Sequence, residues 1–193
     1  MRRRVLVTGA GGQLACAVAR VFEHGWDVLA LGRAELDIRD DGAVGAAVET
    51  YRPSVIVNGA AYNDVDGAES NPVAALEANA FAVRGLARAA AASGAALVHY
   101  SSDFVFDGTA SRPYAEEDRP NPQGVYAASK LLGEWFALEA GRAYVLRVES
   151  LFGAPPGSRA RKGSLAGLVD AIVAGREVPV FVDRTVSPSY VVD

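Results

Sequence analysis

The sequence predicts a doubly wound α/β fold, a parallel sheet with helices on both faces. Two patterns carry that prediction. Short β-branched apolar runs alternate with longer, often Ala-rich helical stretches, and a glycine-rich turn joins the first run to the first helix. Strand–helix–strand repetition at this spacing calls for parallel strands joined by helical crossovers, which cover both sheet faces.

Taken in order, strands are expected at Val5–Thr8, Val28–Leu31, Val55–Asn58, Leu97–Ser101, Tyr144–Arg147 and Val178–Val182. Helices are expected between them at Leu14–Glu23, Gly42–Tyr51, Val73–Ala92, Tyr126–Glu139 and Ser164–Ala174. Asn71-Pro72 reads as a cap followed by proline in the first turn of the third helix. Gly94 and Gly141 stand just past helix ends, where a left-handed cap costs glycine least. The irregular stretch Asp107–Gln123, rich in Pro, Gly and charge, reads as a functional loop over the carboxyl edge of the sheet, the edge at which such sheets bind ligands.

Composition narrows the function. The chain has 193 residues, half of them hydrophobic and 22% charged, which suits a globular protein and not a disordered one. A net charge of −4 argues against a broad nucleic-acid footprint. One cysteine excludes an internal disulfide framework and a multi-Cys zinc site, and suits a reducing cytoplasm. No stretch reaches the roughly 18 uninterrupted apolar residues of a membrane span. Arg2, Arg3 and Arg4 before an apolar run imitate a secretory leader, but Thr8, Gly9, Gly11, Gly12 and Gln13 interrupt it, so a first strand and turn are expected instead. His24 and His99 lack metal-spaced partners, Cys16 reads as a small buried residue, and no metal is expected.

The first strand runs into Thr8-Gly9-Ala10-Gly11-Gly12-Gln13-Leu14-Ala15. Such glycines let a backbone turn tightly against a pyrophosphate, while the following helix offers its free N–H groups and positive dipole end. Leu14 stands where G-x-G-x-x-G needs its last glycine. The spacing that fits is Gly9-x-x-Gly12-x-x-Ala15, with Ala15 small enough for close helix–strand packing. After the second strand, Arg33 suggests a ribose 2′-phosphate and hence NADP(H); Glu35 nearby keeps NAD(H) open, and a solvated surface charge is the plain alternative. Asp37-Ile38 is placed to meet an adenine edge or to form a turn. Asn58, Ala60 and Ala61 after the third strand put small residues along the cofactor's path, or simply pack.

Tyr126 and Lys130 stand four apart, on one helix face. A phenol titrates near ~10, too high to exchange protons readily at neutral pH, and a cation held nearby lowers that value. The lysine is also suited to bonding a cofactor ribose. Ser101-Ser102 closes an earlier strand, where a hydroxyl would polarise a substrate carbonyl.

Together, Gly9-x-x-Gly12-x-x-Ala15, Asn58-Gly59-Ala60-Ala61, the strand ending in Ser102 and Tyr126-x-x-x-Lys130 resemble the extended short-chain dehydrogenase/reductases. Within them, Ala60 through Glu69, Ser101-Ser102-Asp103-Phe104-Val105-Phe106-Asp107-Gly108, Pro113 through Glu117 and Pro120 through Lys130 are similar to the dTDP-4-dehydrorhamnose reductase family, over nearly the whole chain. The resemblance implies a Rossmann domain over 1–193, with 150–193 beginning the substrate-binding portion. It also implies NAD(P)H-dependent reduction of a 4-keto nucleotide sugar in the cytoplasm, without nucleic acid or membrane, with a homodimer left open. Tyr126 would protonate the carbonyl oxygen, Lys130 would tune Tyr126, and Ser102 would hold that oxygen. Gly9, Gly11, Gly12, Gln13 and Leu14 would meet the cofactor. Tyr62 would face cofactor or substrate, and Asp66, Asp103 and Phe104 the substrate. The family's pattern runs on beyond Asp193, so a substrate lobe cut short is expected. Two alternatives stand beside this reading: another extended member such as an epimerase or dehydratase, or a non-catalytic NADP-binding regulatory subunit.

Overall fold

A computed structural model describes residues 2–153, 164–178 and 185–192. Strands β1 (Arg3–Thr8), β2 (Trp26–Leu31), β3 (Val55–Asn58), β4 (Ala96–Ser102) and β5 (Ala143–Val148) form one parallel sheet in the order β2-β1-β3-β4-β5. The sheet is the expected doubly wound, Rossmann-type one. Its order reverses between β1 and β3, so a crevice opens past their carboxyl ends.

Alternation along the strands builds a core on each face. Leu6, Ile56 and Leu97 pack with Val44 and Val48 of α2 (Asp41–Tyr51) and with Val83, Leu86 and Ala90 of a long helical segment. Val5, Val7 and Val57 face the other way, onto α1 (Gln13–Phe22) through Ala15, Val18 and Phe22. Each fully buried Val, Leu or Ile stabilises by about 1.5–3 kcal/mol, so both faces hold the sheet.

The helices begin and end for local reasons. Asp40 caps α2 by accepting from Ala43 N at 2.9 Å, and Arg52 closes it in the left-handed region at φ 50°. A short helix α3 (Val65–Ser70), absent from the sequence expectations, is capped by Asp64, which accepts from Gly67 N at 2.9 Å. The helix expected over Val73–Ala92 is three pieces, α4 (Pro72–Leu76), a π-helical turn (Glu77–Phe81) and α5 (Ala82–Ser93). Pro72 opens α4 as expected, but Asn71 does not cap it; its side chain donates back to Gly67 O at 3.2 Å. Gly94 and Gly141 take left-handed conformations, both as expected.

A 3₁₀ turn (Asp103–Val105) follows β4, and α6 (Val125–Leu138) crosses back to β5. Past β5, Phe152 bridges Tyr190, so the segment at 185–192 lies along 149–153. Helix α7 (Ser164–Val173) matches expectation; the expected strand Val178–Val182 falls, apart from Val178, outside the described residues. Among the described residues no helix is long and apolar enough to cross a membrane.

One close approach fixes α6 against the π turn. Gly133 leaves no room for a Cβ between the Asn79 carbonyl and the His99 ring. Gly133→Ala should therefore destabilise the fold by about 1–3 kcal/mol, read as a lower urea midpoint at unchanged slope.

Candidate active site

The crevice at the strand reversal is lined by backbone. Gly9 has φ +72°, and a Cβ there would lie 2.7 Å from the backbone of Gly59 and Ala60, so only glycine fits. A Cβ on Gly59 would lie 2.9 Å from Ala15 Cβ, which is why Ala15 must be small. Gly12 heads α1 without a side-chain cap, no acidic residue stands in the first turn, and space is open around Gly11. Gln13 and Leu14 are half-buried in that turn, and Gln13 donates to Gly153 O. An uncapped helix start beside an open glycine turn is the donor set a pyrophosphate requires.

Behind the turn, a buried polar chain joins three strand ends. Thr8 Oγ1 donates to Asn58 Oδ1 at 2.7 Å, which also accepts from Ala60 N at 3.2 Å. Asn58 Nδ2, 3.2 Å from His99 Nδ1, must then donate, which leaves the ring proton on Nε2. Burial pushes the His99 pKa down to about 3, with Lys130 adding to the effect, so the ring is neutral.

At the far end of β2 the side chain of Arg33 is 78% exposed, 3.6 Å from Asp37 Oδ2. The Glu35 carboxylate lies over Gly32. Asp37 accepts from the backbone and guanidinium of Arg39, which hold its carboxyl well below the usual range, and Ile38 is buried in the core with Leu36 and Val44. Ala60, Ala61 and Tyr62 continue along the crevice, half-buried.

The carboxyl end of β4 and the start of α6 meet over this crevice. Ser102 Oγ donates to Asp103 Oδ1 at 2.9 Å and accepts from Phe104 N at 3.2 Å. The Phe104 ring meets Tyr126 edge-on with centroids 5.9 Å apart, inside an apolar cluster with Tyr62, Val65 and Ala68. Burial raises the Tyr126 pKa above that of a free phenol; a hydrogen bond with Ser102 pulls it down, and the Asp103 charge adds to the rise. Lys130, nearly fully buried, donates to Tyr100 O at 2.6 Å, and burial lowers its pKa to about 8 against the opposing pull of Glu134. Ser102, Asp103, Phe104, Tyr126 and Lys130 are thus brought together, while Asp66 is exposed in the first turn of α3.

The chain matches the family described as the RmlD substrate binding domain over residues 3–193. It belongs to that family. The dTDP-4-dehydrorhamnose reductase of Mycobacterium tuberculosis (strain CDC 1551 / Oshkosh) is 41% identical over 197 residues, covering 98% of this chain and 62% of its own length. The chain therefore spans less than two thirds of that relative. A crystal structure of dTDP-4-dehydrorhamnose reductase from Bacillus anthracis in complex with NADP superposes with a TM-score of 0.92 at 32% identity, over 99% of this chain and 67% of that one. Methionine adenosyltransferase 2 subunit beta of Bos taurus is 43% identical over 160 residues, 78% of this chain and 48% of the relative.

Two structural roles escaped the sequence reading, those of Asn79 and of Glu69, the last residue of the Ala60–Glu69 block. Asn79, buried in the π turn, accepts from Tyr62 N at 2.8 Å and donates to Tyr62 O and to Ser129 Oγ, each at 3.0 Å. It clamps the crevice strip to α6. An asparagine in the middle of an Ala-rich helical stretch was the available signal, since Asn is a poor helix former. Glu69 Oε1 accepts from Val125 N at 2.7 Å and so caps α6 from outside, where Gly124 offers no side chain. No local pattern connects residues so far apart in sequence.

Proposed function

We propose that the protein reduces the 4-keto group of a nucleotide-linked sugar with NADPH, as a dTDP-4-dehydrorhamnose reductase. The observation that carries this reading is Ser102 and Tyr126 joined at the carboxyl end of β4, with Lys130 buried one turn along α6 against Tyr100 O, in a sheet whose first strand runs into the uncapped start of α1. The NADP in the Bacillus anthracis relative supports the cofactor, and the exposed Arg33 supports a 2′-phosphate. A cytoplasmic location follows from such metabolites. A homodimer is supported by the exposed apolar side chains Phe81, Trp135 and Leu138.

When bound, the reduced nicotinamide supplies a hydride to the carbonyl carbon. The chain's own groups then act on the oxygen. Ser102 Oγ holds it, and Tyr126, kept protonated at neutral pH by burial, gives it a proton. Lys130 supplies a positive charge one helical turn away, which favours the phenolate left behind. Asp103 and Phe104 border the substrate side, and Asp66 lies on the rim. The residues 150–193 begin the sugar-binding portion.

The bovine relative, named as a subunit of methionine adenosyltransferase 2, favours a second reading for this chain, a non-catalytic subunit. One experiment separates the two: NADPH oxidation followed with a dTDP-linked 4-keto-6-deoxy sugar. Turnover is expected, and Tyr126→Phe should lower kcat by about 10²–10⁴-fold with NADPH affinity unchanged. Equal rates would remove Tyr126 as donor.

The profile of kcat/KM should fall as pH rises through about 8, where Lys130 loses its proton, and Lys130→Met should abolish that limb. Arg33→Ala should reduce the preference for NADPH over NADH by about tenfold, the loss of one hydrogen bond to a charged group.

A further inference from the structure

Beyond Tyr126 and Lys130, α6 carries a second charged residue on the same stripe. Glu134 follows Lys130 by one turn and is only 4% exposed. A carboxylate so deeply placed needs a partner, and it has one. Arg147, near the end of β5, grips it with both arms of the guanidinium, Nε to Oε1 at 2.9 Å and Nη2 to Oε2 at 2.7 Å. The same guanidinium lies over the Phe106 ring, 4.8 Å from its centroid.

Phe106 begins the loop that follows Ser102. Its other face stacks on Tyr114, with centroids 4.2 Å apart and planes 7° from parallel. Tyr114 OH donates to Asp107 Oδ1 at 2.8 Å, Thr109 donates to the same oxygen through N and Oγ1, and Asn121 Nδ2 donates to Oδ2 at 3.0 Å. Asn121 N also donates to Val105 O at 2.9 Å, closing the loop at its base. The loop 106–121 is therefore a self-bonded body resting on one cation, and that cation is clamped to the helix bearing Tyr126 and Lys130.

We propose that Arg147 is a positioning residue: held by Glu134, it seats the 106–121 loop as the substrate-side wall at a place set by α6 itself. The inference rests on the reductase reading for what the wall meets, though not for the anchoring. Arginine suits the task because its planar fork is bidentate on one edge while its face stacks on an aromatic ring; lysine, a point charge, has neither fork nor plane.

The test compares the full chain with Arg147→Lys and Phe106→Leu, the second keeping the ion pair and removing the ring that meets both Arg147 and Tyr114. In both, backbone amides of 106–121 should exchange about tenfold faster while those of α6 keep their protection. NADPH affinity should stay unchanged, and KM for the 4-keto nucleotide sugar should rise about tenfold with a smaller fall in kcat. Unchanged loop exchange in both variants overturns the anchoring, whatever the enzyme turns over. A loosened loop with unmoved KM overturns the positioning of substrate. A wild-type protein that oxidises no NADPH with the ketone removes the reductase reading instead, and the exchange data still decide the anchor.

Discussion

A buried ammonium on a strand carbonyl fixes the geometry of the site. Lys130 Nζ donates to Tyr100 O at 2.6 Å with almost no exposure to solvent, which ties the middle of α6 to β4. Moving back one helical turn from Lys130 to Tyr126 covers about 6 Å along the helix axis. Moving forward two residues on β4, from Tyr100 to Ser102, covers about 6.6 Å. Because α6 returns antiparallel to the strands it connects, those two steps run the same way, and Tyr126 arrives over Ser102. The lysine's anchorage thus brings phenol and hydroxyl together, and the hydrogen bond between Ser102 and Tyr126 joins them.

The nucleotide side depends on size instead of charge. Strands β1 and β3 end side by side at the reversal of the sheet, and their turns pass so closely that Gly9 and Gly59 admit no side chain. The polar groups under that approach, Thr8, Asn58 and His99, bond to one another in a chain, while in the turn itself Ala10 N donates to Leu31 O and Gly12 N to Gly9 O. A neutral histidine is required there, because a second cation beside Lys130 would face the same low-dielectric interior.

What the sequence disclosed was what short-range pattern controls. Alternation of apolar runs located all five described strands, and spacing on a single helix picked out Tyr126 with Lys130. Gly9, Gly12 and Ala15 were legible because each answers to a steric limit at its own position. Features set by residues distant in sequence stayed hidden: the Glu69 cap on α6, the Asn79 clamp and the Glu134–Arg147 pair. The π turn was hidden for another reason, since one added residue per turn leaves the apolar periodicity on either side intact. The reading of Lys130 also changed in detail. Proximity along the helix suggested that it lowers the Tyr126 pKa, but the ammonium lies against Tyr100 O and burial raises the phenol instead.

That reversal bears on the direction of proton flow. A phenol raised above its free value is protonated at neutral pH, and an ammonium with a pKa near 8 still carries most of its charge there. The site therefore rests with a proton on each group, the state that the proposed reduction needs. Asp103, which raises Tyr126 further, and Glu134, which supports the charge on Lys130, both push toward that state. In the proposed reaction, taking a proton from an alcohol would first require deprotonation of this buried phenol, whereas giving one would not.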